Sequence, residues 1–320
     1  MRVVVMEDYQ GAVERLRSFT ALAGHDVVVR RPRPVDLADR AAQIGNAEAL
    51  VLIRERTPID AALLDLLPDL RLICQTGRGT PHIDLEACTE RGIVVCNGSG
   101  SPVAPAELTL ALMLASSRRL VEDAVALRAG TWQTTIGTEL DGKTLGIVGY
   151  GGIGAIVARY GVALGMQVRA WGREGSLERA RADGHEPEAH LSALFAESDV
   201  VSLHAKLTAE SRGLVTPALL ASMKPEALLV NTSRAGLIEP GALDAALSAG
   251  RPGRAAIDVF DDEPAIDDPL LRHDGLLATP HLGYVTWETY ESYFAEAFGQ
   301  VEAFARGAPV GVVNPQVLQA

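Results

Sequence analysis

Apolar positions along this chain follow two rhythms. Short, nearly unbroken runs occur at Val3–Met6, Val27–Arg30, Ala49–Ile53, Leu70–Cys74 and Ile93–Cys96. Runs of this kind, apolar rather than alternating, predict strands covered on both faces, as in a parallel sheet. Between them Gly11–Leu22, Leu37–Ile44, Asp60–Leu66 and Leu85–Arg91 carry the wider spacing of helices. Strand and helix patterns taking turns in this way define an α/β architecture.

A new unit begins near Ser101. Pro102 and Pro105 punctuate the chain, and Ala106–Arg128 then reads as one long helix, apolar around much of its surface and therefore buried. A second series of strands follows at Thr144–Val148, Gln167–Trp171, Val200–His204, Ala227–Asn231, Ala255–Val259 and Leu276–Thr279. Trp287–Arg306 predicts a closing helix. The second sheet is already complete at Thr279, so this helix is expected to return to the first domain.

The first strand of the second series runs into Gly149-Tyr150-Gly151-Gly152-Ile153-Gly154. This is G-x-G-x-x-G between a strand and the helix Ile153–Ala163, the setting in which it binds a dinucleotide. Gly149 permits the tight turn, Gly151 lets backbone approach a pyrophosphate, and Gly154 lets helix and strand pack closely. The helix N-terminus offers free amides and the positive end of its dipole. An acid about 20 residues on would accept the ribose 2′-hydroxyl of NAD. Here the next strand ends Ala170-Trp171-Gly172-Arg173, with Gly172 in the acid's place and Glu174 beyond it on the loop. Arg173 is suited to a 2′-phosphate. Selectivity for NAD is thus expected to be weakened, and either NAD or NADP is a candidate cofactor.

Three islands follow later strands: Val230–Gly236, Ala256–Pro264 and Ala278–Gly283. Open α/β sheets bind ligands at the strands' carboxyl edge. Arginine can grip a carboxylate with two bonds, histidine can exchange a proton near neutral pH, and a neighbouring carboxylate fixes the imidazole's tautomer and favours its charged form.

These segments, together with PAELTLALML, SLHAKLT, NTSRAGLIE, AIDVFDDEP and TPHLG in that order, make the chain resemble the D-isomer-specific 2-hydroxyacid dehydrogenases over essentially its whole length. The resemblance implies two Rossmann-like, doubly wound parallel-sheet domains. Residues 1–101 plus 285–320 would form a flavodoxin-like substrate domain, with an NAD(P)-binding domain, 102–284, inserted in it. It implies Arg234 as the clamp on the substrate carboxylate, His281 as acid/base and Glu263 as its partner. Asp258 would lie near the nicotinamide carboxamide, with His204 and Thr232 lining the cofactor site; Gly149, Gly151, Gly152, Ile153, Gly154, Trp171, Arg173 and Gly283 complete the expected cofactor contacts. The segment Gln75–Asp84 is similar to the family's substrate loop, so Arg78 and Gly79 are expected at the substrate. Arg54 and Arg56, in Ile53-Arg54-Glu55-Arg56-Thr57, and Arg78 lie in loops after strands, and one of the three is expected to meet a second anionic group on the substrate, the alternative being a surface ion pair with Glu55 or another acid. Closure of the two domains and a homodimer through the cofactor domain are further implications; the apolar Ala106–Ala115 stretch fits such an interface and an intrachain core equally. Ala235 and Ala205-Lys206 depart from the family pattern.

Bulk properties narrow the reading. The chain has 320 residues, room for two domains with cores. A net charge of −12 argues against nucleic acid or an anionic membrane as partner. Three cysteines without Cys-x-x-Cys spacing fit a reduced, cytoplasmic compartment. The N-terminus leads straight into a strand rather than a signal peptide, and no apolar segment is long enough to span a bilayer. No cluster has metal-ligand spacing, so no metal is expected. The expected activity is hydride transfer between NAD(P) and a small 2-keto or 2-hydroxy acid, D-3-phosphoglycerate among the candidates. The alternative is a dinucleotide-sensing, corepressor-like binding protein on the same scaffold. Such sensors carry docking extensions and this chain ends soon after its closing helix, which favours the enzyme; with no long C-terminal regulatory stretch, feedback control is not expected.

Overall fold

The computed structural model describes residues 1–319. The chain divides into two compact units, Met1–Ser101 with the segment from Val285 onward, and Pro102–Tyr284.

In the first unit, β1 (Arg2–Val5), β2 (Asp26–Val29), β3 (Ala49–Leu52), β4 (Leu72–Gln75) and β5 (Val94–Asn97) form a parallel sheet ordered β2-β1-β3-β4-β5. The strand order reverses beside β1, between β1 and β3. Every residue of β3 and β4 is buried, which is why these strands read as unbroken apolar runs. Helices α1 (Leu37–Ile44), α2 (Ala61–Leu64) and α3 (Leu85–Glu90) are each capped by an aspartate, Asp36, Asp60 and Asp84, whose carboxylate accepts a first-turn amide. The closing helix, Trp287–Ala305, packs on β4 and β5 of this sheet with Phe294, Ala297, Phe298 and Val301 buried. Beyond it the tail covers the β5 edge: Asn97 N donates to Gly311 O (3.1 Å), Val313 N to Val95 O (2.8 Å) and Val95 N to Asn314 Oδ1 (2.9 Å).

Two helices of this unit differ from the sequence expectation. Gly11–Leu22 is not an α-helix but two 3-10 segments, Val13–Arg15 and Arg17–Leu22. The buried Asp8 carboxylate takes the amides of Ala12 and Val13, both at 3.0 Å, and Leu16 is extended, which splits the segment. The helix expected over Asp60–Leu66 is confined to Ala61–Leu64.

The second unit opens with α4 (Val103–Ser117) and α5 (Leu120–Arg128). One long helix was expected here. The break falls at Arg119, whose φ is +51°. The last carbonyls of α4 are drawn to distant donors: Arg254 Nη1 bonds Ser116 O at 2.8 Å and Thr138 N bonds Ser117 O at 2.8 Å. The apolar Ala106–Ala115 stretch belongs to the intrachain core, with Ala106, Leu112 and Met113 buried against the helix Gly152–Ala163 and the strand Leu228–Asn231. Exposed apolar surface lies instead on α5 and the segment after it, at Leu120, Val121, Val125, Leu127, Trp132 and Ile136.

The remaining strands are β6 (Thr144–Val148), β7 (Gln167–Trp171), β8 (Glu186–Pro187), β9 (Val200–Leu203), β10 (Leu228–Asn231), β11 (Arg254–Ile257) and β12 (Leu276–Ala278). They form a parallel sheet ordered β12-β11-β10-β9-β6-β7-β8. Helices α6 (Gly152–Ala163), α7 (Glu174–Ala182), α8 (Leu191–Glu197), α9 (Pro217–Ser222) and α10 (Ala242–Ser248) connect them. The two-residue β8 was not anticipated; a Glu-Pro pair carries no strand signal. No helix of the described residues is long and apolar enough to cross a membrane.

Candidate active site

The order of the second sheet reverses between β9 and β6, and the glycine-rich turn leaves β6 at that point. Gly149 has φ +95°, and a Cβ there would lie 2.6–2.8 Å from the backbone of Ala205 and His204, so only glycine fits. A Cβ on Gly154 would strike Gly149 O, which fixes how closely α6 approaches the strand. By contrast, nothing lies within 4 Å of a Cβ built on Gly151, the N-cap of α6. That opening beside the amides of Gly152 and Ile153 fits a pyrophosphate. Thr232 follows β10, is 8% exposed, and shares a 2.6 Å hydrogen bond with Thr109 of α4. His204 follows β9; Ser202 Oγ lies 2.8 Å from its Nε2, and burial pushes its imidazole down to about 4, so it is neutral at pH 7.

At the end of β7, Trp171 is half-buried and packs against the core. Gly172 follows; a Cβ there would lie 3.3 Å from Ser176 Cβ and 3.8 Å from Gly149 Cα, at the glycine-rich turn. Arg173 is the N-cap of α7 and is exposed. Glu174 is not on a loop, as expected, but opens α7, where its carboxylate accepts from Arg181 Nη1 at 2.8 Å.

The three islands stand at the carboxyl ends of β10, β11 and β12. Asn231 shapes the first: its Oδ1 accepts from Ser233 N (3.0 Å) and its Nδ2 donates to Arg234 O (3.0 Å). Arg234 N-caps a 3-10 turn, and its Nη1 donates to Ser233 O at 2.7 Å. In the second and third islands His281 Nδ1 lies 2.6 Å from Glu263 Oε2, while Glu263 Oε1 accepts from Phe260 N at 3.1 Å. His281 has φ +53°, uncommon for a residue with a side chain, and its ring meets the edge of Tyr284 at 5.5 Å. Asp258 supports this conformation. Fully buried, it accepts from Thr279 Oγ1 (2.6 Å), Leu282 N (2.7 Å) and Gly283 N (2.8 Å), so one carboxylate gathers both sides of His281. Burial raises its carboxyl above the usual range, and the three donors pull the other way. Thr279 and Asn231 escaped the sequence reading as positioning residues; their signal is a polar side chain at or beside a buried strand end.

Arg78, Gly79 and Arg54 form a separate group at the carboxyl edge of the first sheet. Arg78 is exposed and its carbonyl accepts from Asn97 Nδ2 at 2.8 Å. Arg54 (φ +54°) turns onto the loop rather than outward. Its Nη1 donates to Thr76 O (3.2 Å), its Nη2 lies 3.5 Å from Glu55 Oε1, and it sits over the Tyr293 ring. A Cβ on Gly77 would collide with this guanidinium and one on Gly79 would lie 2.7 Å from Glu55 Oε1. Glu7, at the end of β1, is also in the left-handed region (φ +57°) and was not anticipated. Its buried carboxylate accepts from Tyr9 OH and Thr57 Oγ1, both at 2.5 Å, and Arg56 stacks over Tyr9. Both ring nitrogens of His82 are buried without a partner, and burial pushes its imidazole down to about 4.

A parallel sheet with this glycine turn at its switch point, carrying a paired histidine and carboxylate at the same edge, defines a dinucleotide-binding unit built for proton-coupled chemistry. Residues 110–283 match the model of the D-isomer specific 2-hydroxyacid dehydrogenase NAD binding domain, and the chain belongs to that family, with NAD(P) as its cofactor. It is 36% identical over 312 residues to D-3-phosphoglycerate dehydrogenase of Mycobacterium leprae, covering 94% of this chain and 59% of that protein. The chain therefore spans well under two thirds of that relative's length. It is 36% identical over 288 residues to glyoxylate reductase of Thermococcus litoralis, covering 86% of each. Among solved structures, phosphoglycerate oxidoreductase from Vibrio cholerae o395 superposes with a TM-score of 0.94 at 45% identity, covering 96% of this chain and 100% of that one.

Proposed function

We propose that the chain reduces a 2-keto acid to its D-2-hydroxy acid, or runs the reverse oxidation, with Arg234, Glu263 and His281 as the residues of the reaction. The observation that carries this reading is the 2.6 Å contact of His281 Nδ1 with Glu263 Oε2. With Nδ1 committed as donor to the carboxylate, proton exchange falls to Nε2. The bound nicotinamide supplies or accepts the hydride. His281 delivers its proton to the oxygen on which negative charge grows, and Glu263 steadies the imidazolium before transfer. Arg234 grips the substrate carboxylate with two parallel bonds. Asp258 acts from beneath, holding the Thr279–Gly283 turn so that His281 keeps its orientation.

The first unit serves as the substrate domain, with the loop around Gly79 as its substrate loop. Arg54, engaged by Thr76 and Glu55, positions that loop. Arg78, exposed on the same loop, suits a second anionic group on the substrate, a reading supported by the phosphoglycerate-named relatives. Two copies associate through the apolar surface of α5, since exposed large apolar side chains in such number on one short segment mark association surfaces. A net charge of −12 and three buried free cysteines support a cytoplasmic setting.

The test is oxidation of NADH and NADPH with hydroxypyruvate, its 3-phosphate, glyoxylate and pyruvate as acceptors. His281→Ala is expected to cut turnover by roughly 10²–10⁴-fold while dinucleotide binding persists. Turnover at the parent rate in that variant would sink the assignment.

A further inference from the structure

We infer that this chain selects NADP(H) over NAD(H), and that Arg179, in the second turn of α7, acts with Arg173 to make that choice. The inference rests on the assignment of the second unit as an NAD(P)-binding domain.

A ribose with a free 2′-hydroxyl is held by a carboxylate at the end of the second strand of the fold. Gly172 occupies that place, with a built Cβ 3.8 Å from Gly149 Cα, so it lies at the mouth of the cofactor turn and offers no acceptor there. Neighbouring carboxylates are drawn elsewhere. Glu174 accepts from Arg181 Nη1 at 2.8 Å, and Asp183 Oδ2 accepts from Tyr150 OH at 2.6 Å. Glu210 feels the charge of Arg173 but is fully exposed on the loop after β9, where the Thr208 hydroxyl is the main cause of its lowered carboxyl.

Positive groups, in contrast, flank Gly172: Arg173 follows it in the chain and Arg179 bonds Ser176 beside it. Arg173 caps the N-terminus of the nine-residue α7, so its guanidinium starts beside the positive end of that helix. Arg179 reaches back from the second turn. Its Nη2 donates to Tyr150 O (3.0 Å), inside the glycine-rich turn itself, and to Ser176 Oγ (3.2 Å). Ser176 Cβ is also the nearest neighbour of a Cβ built on Gly172. One guanidinium is therefore already fixed between the glycine turn and the vacated acid position, with a hydroxyl beside it. A dianionic 2′-phosphate is the group this arrangement recognises. A neutral 2′-hydroxyl gains little from two cations and has lost its acceptor.

The decisive measurement is equilibrium binding to the intact protein without substrate, by titration calorimetry and quenching of tryptophan fluorescence. NADPH and NADH are compared, and 2′,5′-ADP and 5′-AMP isolate the adenosine end. NADPH is expected to bind at least ~10-fold more tightly than NADH, and 2′,5′-ADP more tightly than 5′-AMP, because each charged bond to the phosphate adds roughly that factor or more. Arg173→Ala and Arg179→Ala are each expected to weaken NADPH about 10- to 100-fold and to leave NADH within a factor of about two. Arg179→Lys, which keeps the charge, should recover part of the loss. Equal or tighter binding of NADH by the parent protein would overturn the inference while leaving the cofactor domain intact. Failure of both dinucleotides to bind would overturn the cofactor assignment along with it. Equal weakening of both by Arg179→Ala would reduce Arg179 to a support for the turn and overturn its part.

Discussion

Replacing Asp258 by asparagine is a sharp test of how the His281 turn is held. The carboxylate is fully buried and receives three donors at 2.6–2.8 Å, two on Oδ1 and one on Oδ2. Asparagine has nearly the same shape. Its carbonyl can keep Thr279 and Leu282, but its amide nitrogen then faces the Gly283 N–H, donor against donor. The lost charged bond costs about 1.5–3 kcal/mol and the orphaned amide about 1–3 kcal/mol. Relief from burying a charge offsets part of this, since burial is the largest cause of the raised Asp258 carboxyl. A net local cost of about 2 kcal/mol follows, close to a 30-fold shift in the opening equilibrium of the turn. Hydrogen exchange followed by mass spectrometry should show residues 279–284 losing protection by that factor, with strands β6 and β9 unchanged. Turnover should fall because His281 is no longer held beside Glu263. Unchanged protection across the turn would refute the reasoning, whatever happened to the rate.

Further outcomes follow from the same geometry. Gly149→Ala places a Cβ against the His204–Ala205 backbone at φ +95° and should cost about 3–5 kcal/mol, seen as a lowered melting temperature. Gly151→Ala meets nothing within 4 Å, so it should melt like the parent yet bind dinucleotide more weakly. For His204 the folded value of about 4 lies below the unfolded value of about 6.5. Its contribution is constant above pH 6.5 and is lost as pH falls from 6.5 toward 4. A shift of this size caps the effect at about 3 kcal/mol, and part exposure brings it nearer ~2 kcal/mol; urea titrations at pH 7 and 4.5 should find His204→Gln less acid-sensitive than the parent by that amount. Val125→Glu, on the exposed face of α5, should convert the proposed dimer to monomer in light scattering with its melting temperature little changed at matched ionic strength.

Much of the fold was legible because parallel strands are buried on both faces. Residues such as Ala49–Leu52 and Leu228–Asn231 have no solvent side to mark with polar groups, so each announces itself as an apolar run. The glycine turn was legible for a similarly local reason: Gly149 and Gly154 are demanded by backbone contacts that recur wherever a strand feeds a helix in this way. What escaped the reading is non-local. The break between α4 and α5 depends on Arg254, far away in sequence, reaching the carbonyls of Ser116 and Ser117. The 3-10 path after β1 depends on Asp8 taking two amides that a helix would have kept for itself. At the candidate site the sequence supplied the types of Arg234, Glu263 and His281, but not that Asp258 spends its carboxylate on the turn carrying the histidine. Nor did it show that Arg54 folds inward onto Thr76 and Glu55. Those facts depend on which way a side chain points once the strand has ended, and spacing does not encode that direction.

The covering of β5 by the tail has a consequence for synthesis on the ribosome. The second unit, Pro102–Tyr284, is contiguous and can close as soon as its last strand emerges. The five strands of the first unit are made before it, yet lack Phe294, Phe298 and the Val313–Asn314 pairing until residues 285–319 appear. At 5–20 residues per second, residues 285–319 take on the order of 2–7 s to add, after a much longer wait while the second unit is translated. Throughout that interval the β4–β5 side of the first sheet stands uncovered, with an unpaired edge. Nascent-chain aggregation and chaperone engagement should therefore concentrate on residues 1–101 rather than on residues 102–284.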